Sequence, residues 1–190
     1  MEADWSVEIG ADLPVIAVPW EGFIDLRHAP SLASGLEEAA TAPALARALV
    51  TLNAAISPVF TAKCDLWLLT PDDIDPLEFG ASREQAQQGI ACYIDVIARD
   101  AGVFASFAAH EAWVRAATAE LHEVELPRAR VEYVVRASRV DDFEGFAVTL
   151  YAAAGAVKEE DVKSVFHDAL ETATAITIRQ ATKRASSSIG

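Results

Sequence analysis

The chain is poor in cysteine, in basic residues and in long apolar runs, and each shortage excludes something. Two cysteines, Cys64 and Cys92, are too few for a zinc site or a disulfide framework, and both sit in strand-like apolar sequence where an inert buried thiol is expected. Lys and Arg number 15 against 29 Asp and Glu, which gives a formal charge of −14 and a pI near 4.6. Nucleic-acid binding needs clustered cations, so no nucleic acid is expected as a partner, whereas a basic protein partner is compatible with the charge. No apolar stretch approaches the roughly 20 residues of a bilayer span, and Met1-Glu2-Ala3-Asp4 is acidic where a signal peptide is basic. The expectation is a soluble cytoplasmic protein without membrane contact.

Catalytic signatures are missing as well. There is no G-x-S-x-G, P-loop, dinucleotide fingerprint, H-E-x-x-H or C-x-x-C, and His110-Glu111 continues as Ala112-Trp113-Val114 without the second histidine of a zincin. The sequence therefore predicts no catalytic residue, no metal ligand set and no cofactor.

What is abundant is alanine, 38 of 190 residues, within a hydrophobic fraction of 52%. A chain of this length can bury a core without staples, and one α+β domain over residues 1–185 is expected, with 186–190 as a frayed tail. Its centre is Ile90 to Tyr151: a β-rich run at Ile90–Ile97, helical period from Phe104 to His122, alternation from Arg130 to Arg136, a turn at Asp141–Gly145 and a strand from Phe146 to Tyr151. Before it, strands are predicted at Trp5–Ile9, Val15–Trp20, Phe23–Arg27 and Val59–Leu69. Two helices fall between the last two of these, one with Ser34 and Glu37 in capping-box spacing and one beginning at Pro43. Residues 70–88 read as an irregular segment with a short helix over Arg83–Gln88. A final helix carries Glu159, Glu160 and Asp161 in its first turn and Arg179, Lys183 and Arg184 near its end, matching the helix dipole. The predicted fold is a mixed, mainly antiparallel sheet with helices on one face, built from two strand–helix–strand units plus a C-terminal helix.

The two units carry similar tetrapeptides, Phe23-Ile24-Asp25-Leu26 and Tyr93-Ile94-Asp95-Val96, each followed by helical sequence and then by Pro58 or Pro127, which fits an internal repeat. Asp25 and Asp95 are acids inside apolar runs, where an unpaired carboxylate is costly to bury. They are read either as paired with Arg27, Arg99 or a backbone amide, or as two carboxylates facing one cleft, with Asp65 as a third oxygen donor. His110 lies on the core stripe of its helix and is read as a satisfied core residue or as a proton carrier at a pocket mouth. Trp67 and Tyr93 share strand faces with acids and are candidates for a pocket or interface wall.

The candidate binding residues are thus Asp25, Asp95, Trp67, Tyr93 and His110. The preferred reading is a non-catalytic ligand-binding or protein-interaction module that forms a homo-oligomer and takes a small-molecule ligand or a basic protein partner. The alternatives are a small metal- or carboxylate-dependent enzyme acting on a small polar metabolite, and an acidic inhibitor or immunity-type protein that covers a basic partner.

Overall fold

Alternating and β-branched sequence gives the strands, and alanine-rich amphipathic sequence gives the helices that cover them. The computed structural model describes residues 1–187. The strands are β1 (Glu2–Glu8), β2 (Ile16–Val18), β3 (Val59–Leu69), β4 (Gln88–Ala98), β5 (Ala129–Val140) and β6 (Phe143–Ala156). The helices are α1 (Glu37–Ala40), α2 (Pro43–Asn53), α3 (Ala101–Phe104), α4 (Phe107–His122) and α5 (Glu159–Ser187), with 3₁₀ turns at Pro30–Gly35 and Pro76–Phe79. The sheet runs β1-β5-β6-β4-β3, with β2 also on β5 beyond the end of β1. Pairings β5–β6, β6–β4 and β4–β3 are antiparallel, while β1 and β2 lie parallel to β5. No helix among the described residues is long and apolar enough to cross a membrane.

One face of the sheet carries the main core. Ile90, Cys92, Ile94 and Val96 of β4, Val131, Tyr133 and Val135 of β5, and Val148 and Leu150 of β6 point to it, by the period of two that strands impose. Leu45, Leu49 and Leu52 of α2, Trp113, Val114, Ala117 and Leu121 of α4, and Val162, Phe166, Leu170 and Ala173 of α5 close over them at helical spacing. Each large side chain so buried contributes about 1.5–3 kcal/mol. Tyr133 brings a hydroxyl into this core, where it meets Thr177 Oγ1 at 3.0 Å and donates to the Ala173 carbonyl at 3.4 Å, tying β5 to α5.

The opposite face is covered only at its two ends. At one end Ile16, Val18, Phe60, Ala62, Ile97, Phe104 and Ala147 form a small cluster, and at the other Ile74, Phe79 and Ala86 pack against Leu69 and Ala153. Between them the middle of the sheet is open.

Four local expectations give way to other structure. Phe23–Arg27 is a turn-rich connection, not a strand, because the Asp25 carboxylate accepts from the Arg27 amide at 3.0 Å and organises a local turn. The two similar tetrapeptides therefore do not occupy equivalent places. Ser34 caps nothing and donates instead to the Ser31 carbonyl. The short helix of the 70–88 segment is at Pro76–Phe79, where Asp75 caps the Leu77 amide and Gly80 closes the turn at φ 56. A strict period of two over Val59–Leu69 sets Phe60 on the face of Ala62, Cys64, Leu66 and Leu68, but a bulge between Thr61 and Lys63 shifts the alternation of β3, so Phe60 stands on the open face together with Lys63, Asp65 and Trp67. As for the expected tail, α5 extends to Ser187, and 188–190 lie outside the described residues.

Candidate functional site

Strand register builds the open middle of the sheet as rows of side chains. One row is Lys63, Asp95, Thr149 and Val134, and the next is Asp65, Tyr93, Tyr151 and Glu132. The register of β5 on β6 is fixed by the tight turn at Asp141, which has φ 53, and it is this turn that sets Glu132 opposite Tyr151.

Asp95 is 6% exposed in the middle of β4. Thr149 Oγ1 donates to its Oδ1 at 2.6 Å. Burial pushes its pKa above the ordinary carboxylate value, against the Thr149 hydrogen bond and the positive charges of Arg136 and Lys63, which pull it down. Tyr93 sits beside it, its phenol pushed up to about 12 by burial and by the Asp95 and Asp65 charges.

The rings of Trp67 and Tyr93 lie 6.4 Å apart and those of Tyr93 and Tyr151 6.0 Å apart, so three aromatics cross the sheet in a continuous line. At the end of that line the Arg136 guanidinium stands 6.0 Å from the Tyr151 ring centre, donates to the Tyr151 hydroxyl at 3.2 Å and pairs with Glu8 at 2.7 Å. Its Nε is buried and has no acceptor among the described residues.

The Pro14–Trp20 segment forms one side of an open cleft of about 470 Å³ here, lined also by Tyr93, Asp95, Tyr151, Arg136 and Lys63. Trp20 is braced there by its indole N–H, which donates to the Ala62 carbonyl at 3.2 Å. A second depression of about 180 Å³ continues the open face past Trp67 and Tyr151 toward Arg130, which pairs with Glu78 and Glu132.

Of the residues singled out from sequence, Asp95, Tyr93 and Trp67 meet on this face, and Asp25 and His110 do not join them. Asp25 sits in the turn after β2 and clasps Arg27 through both oxygens, with Nε–Oδ1 2.8 Å and Nη2–Oδ2 2.7 Å, while His28 Nδ1 stands 3.1 Å away. The Arg27 hydrogen bond holds its carboxyl well below the usual range, at about 2. His110 is fully buried on the helical side of the sheet, against Trp113 and Phe146. Its Nδ1 donates to the Ser106 carbonyl at 2.9 Å, its Nε2 has no partner among the described residues, and burial lowers its pKa. The sheet separates it from Asp95.

Arg136, Thr149, Tyr151 and Trp20 were not singled out in the sequence. The alternation Arg130, Glu132, Arg136 marked a polar strand face, and counting outward from the Asp141-Asp142 turn places Tyr151 upon it. No comparable signal marks Trp20, whose position depends on a loop.

Among the described residues no group of three or more His, Cys, Asp or Glu is placed to hold a metal ion. Cys64 and Cys92 are both free, and burial pushes each thiol up to about 12, far from a reactive thiolate at neutral pH. Comparison with protein-family models, with curated proteins and with solved structures finds no match.

Proposed function

We propose that the protein is a non-catalytic binding module that takes a small polar molecule bearing an anionic group on the open middle of its sheet. The observation that carries this reading is Asp95: a nearly buried carboxyl, held by one hydroxyl, that faces a cavity flanked by Lys63 and Arg136. Although Glu8 offsets part of the Arg136 charge, ionisation of Asp95 is disfavoured and Lys63 adds a second cation to the lining, so the local balance favours an incoming anion. Asp95 and the Tyr93 and Tyr151 hydroxyls supply directional hydrogen bonds, and the aromatic line supplies a flat apolar floor.

Binding is preferred to catalysis because the enzyme alternative rested on Asp25 and Asp95 facing one cleft, with His110 as an optional proton carrier. Asp25 is committed to Arg27, and His110 faces the other core. A cytoplasmic location belongs to the same proposal, supported by two unbridged thiols on adjacent strands. So does a homo-oligomer, for which the exposed Trp67 and Leu68 of the edge strand β3 offer an apolar contact.

The test is a thermal-shift panel of small carboxylates and phosphates against the wild type, Asp95→Asn and Arg136→Gln, with native mass measured in parallel. A ligand at a hundredfold excess over its dissociation constant stabilises by about 2.7 kcal/mol. The expected result is a stabilising anion whose affinity drops about tenfold or more in Arg136→Gln, where a charge-assisted bond is lost. A panel that shifts nothing, or shifts all three proteins equally, removes the reading.

A further inference from the structure

A second cavity, about 480 Å³, lies under the tip of the β5–β6 hairpin, between Phe60 and the short helix α3. Its walls are Phe60, Ile97, Phe104, Val140 and Phe143. Ile97 is fully buried at its floor, whereas Phe143 at the hairpin tip is 74% exposed, a large apolar side chain with nothing over it. The volume lies within the range that holds one small organic molecule.

Two guanidiniums meet at the mouth. Arg27 stands 4.5 Å and Arg99 6.0 Å from the centre of the Phe60 ring. Arg27 is matched by Asp25 at 2.7 Å. Arg99 is held differently: its Nε donates to the Val59 carbonyl at 2.8 Å and its Nη2 to the Asn53 carbonyl at 3.2 Å, so the fork is fixed in place by backbone dipoles. Burial and the neighbouring Arg27 charge both disfavour the cation at Arg99, with Asp25 acting in the opposite sense. With Arg27 matched by Asp25, Arg99 is the guanidinium at this mouth held by backbone carbonyls alone, and an anion is the partner its charge calls for.

We propose that this cavity is a second binding site, for an amphipathic monocarboxylate whose head group pairs with Arg99 and whose alkyl chain lies along Phe60, Phe104 and Phe143. A planar carboxylate suits the guanidinium fork better than a phosphate does here, because the rim also carries the exposed acid Glu144 and the Asp141 charge near Arg27, which weigh against a dianion. An apolar body fits because, away from Arg27, Arg99 and Glu144, the lining is Phe60, Ile97, Phe104, Val140 and Phe143 with three alanines. The site is independent of the one on the open sheet face.

The experiment is isothermal titration of the full chain at low salt with decanoate, octanoate, decan-1-ol and decyltrimethylammonium. Decanoate is expected to bind one to one. Octanoate, two methylenes shorter, should bind about fifteenfold more weakly, since each buried methylene is worth about fourfold. The alcohol and the cation should be weaker than decanoate by about tenfold or more, for lack of the charge-assisted pair.

Two variants locate the ligand. Arg99→Gln should weaken decanoate about tenfold while leaving decanol unchanged. Ala105→Trp should abolish binding of both, because Ala105 is exposed at the rim in ordinary helical backbone, at φ −76 and ψ −10, and a large side chain there fills the mouth. If Arg99→Gln fails to fold, Ala105→Trp alone decides. No heat with decanoate at millimolar concentration, equal binding of decanol, or full binding by a folded Ala105→Trp would each overturn the proposal.

Discussion

Phe23-Ile24-Asp25-Leu26 and Tyr93-Ile94-Asp95-Val96 set an acid at the same point of nearly the same pattern, yet the two acids end in opposite electrostatic environments. Asp25 lies in a turn, a quarter exposed, with a guanidinium in both of its oxygens, and its pKa falls to about 2. Asp95 lies in the middle of a central strand with one hydroxyl for a partner, and burial raises its pKa. What separates them is the backbone. A turn lets Asp25 reach an arginine two residues away, whereas β4, paired on both sides, holds Asp95 where its register neighbours Lys63 and Thr149 are all it meets within its row. Composition alone assigns neither fate.

The largest effect is expected where the weaker solution is disturbed. Thr149→Val keeps the side-chain shape and removes the hydroxyl that serves Asp95, so a buried carboxyl loses its hydrogen bond at a cost of about 2 kcal/mol at pH 7. Urea unfolding measures it. In the Asp95→Asn background the same substitution should cost clearly less, and equal losses in the two backgrounds would mean that the two side chains are not coupled.

Asp25→Asn comes next. The pair with Arg27 is partly screened by water, so its loss is set at about 1 kcal/mol at neutral pH. Because the folded pKa lies below the unfolded value of 3.8, this contribution is complete above about pH 4 and disappears as the pH falls through about 2. Wild type and variant should therefore converge in acid. A gap that persists undiminished at pH 2 would assign the effect to the amide's geometry instead of the charge.

The same pair shows how far the sequence could be read. From Ile90 to Tyr151 strand, helix, strand, turn and strand stand in the order the pattern gives, although the helix expected from Phe104 begins at Phe107 after the short α3, and the long helices α2, α4 and α5 lie on a single face. Phe23–Arg27 misled because an apolar–polar alternation of five residues fits a strand equally well, and the competing Asp25 turn draws on a single side chain. The β3 bulge left no mark in composition, although one inserted residue moved Phe60 to the other face, where it lines the cavity under the hairpin tip. Asp75-Pro76 and Gly80 start and stop the short turn, yet the sequence pattern places the helix at Arg83–Gln88, because a local cap competes there with a longer polar run. Within the site, Tyr93, Asp95 and Trp67 were legible because they share a strand face or a register row. Arg136 and Trp20 were not, since their places follow from long-range pairing and from a loop laid over the sheet.

The smallest effect is the most discriminating, because it is a difference of sign. Asp95 has a folded pKa raised above its unfolded value, so the native state holds this proton more tightly than the unfolded chain does. Its contribution is most favourable below the unfolded pKa and declines as the pH rises from about 4 through the folded value, the reverse of Asp25. Asparagine cannot ionise. Relative to wild type, Asp95→Asn should thus gain stability between pH 3 and pH 8, while Asp25→Asn loses it over the acid part of the same range. Denaturant midpoints of the two variants along one pH series give both signs. If Asp95→Asn instead loses ground as the pH rises, then Lys63 and Arg136 stabilise the carboxylate more than burial penalises it, and the open face presents a fixed negative charge that would select a cationic ligand in place of an anionic one.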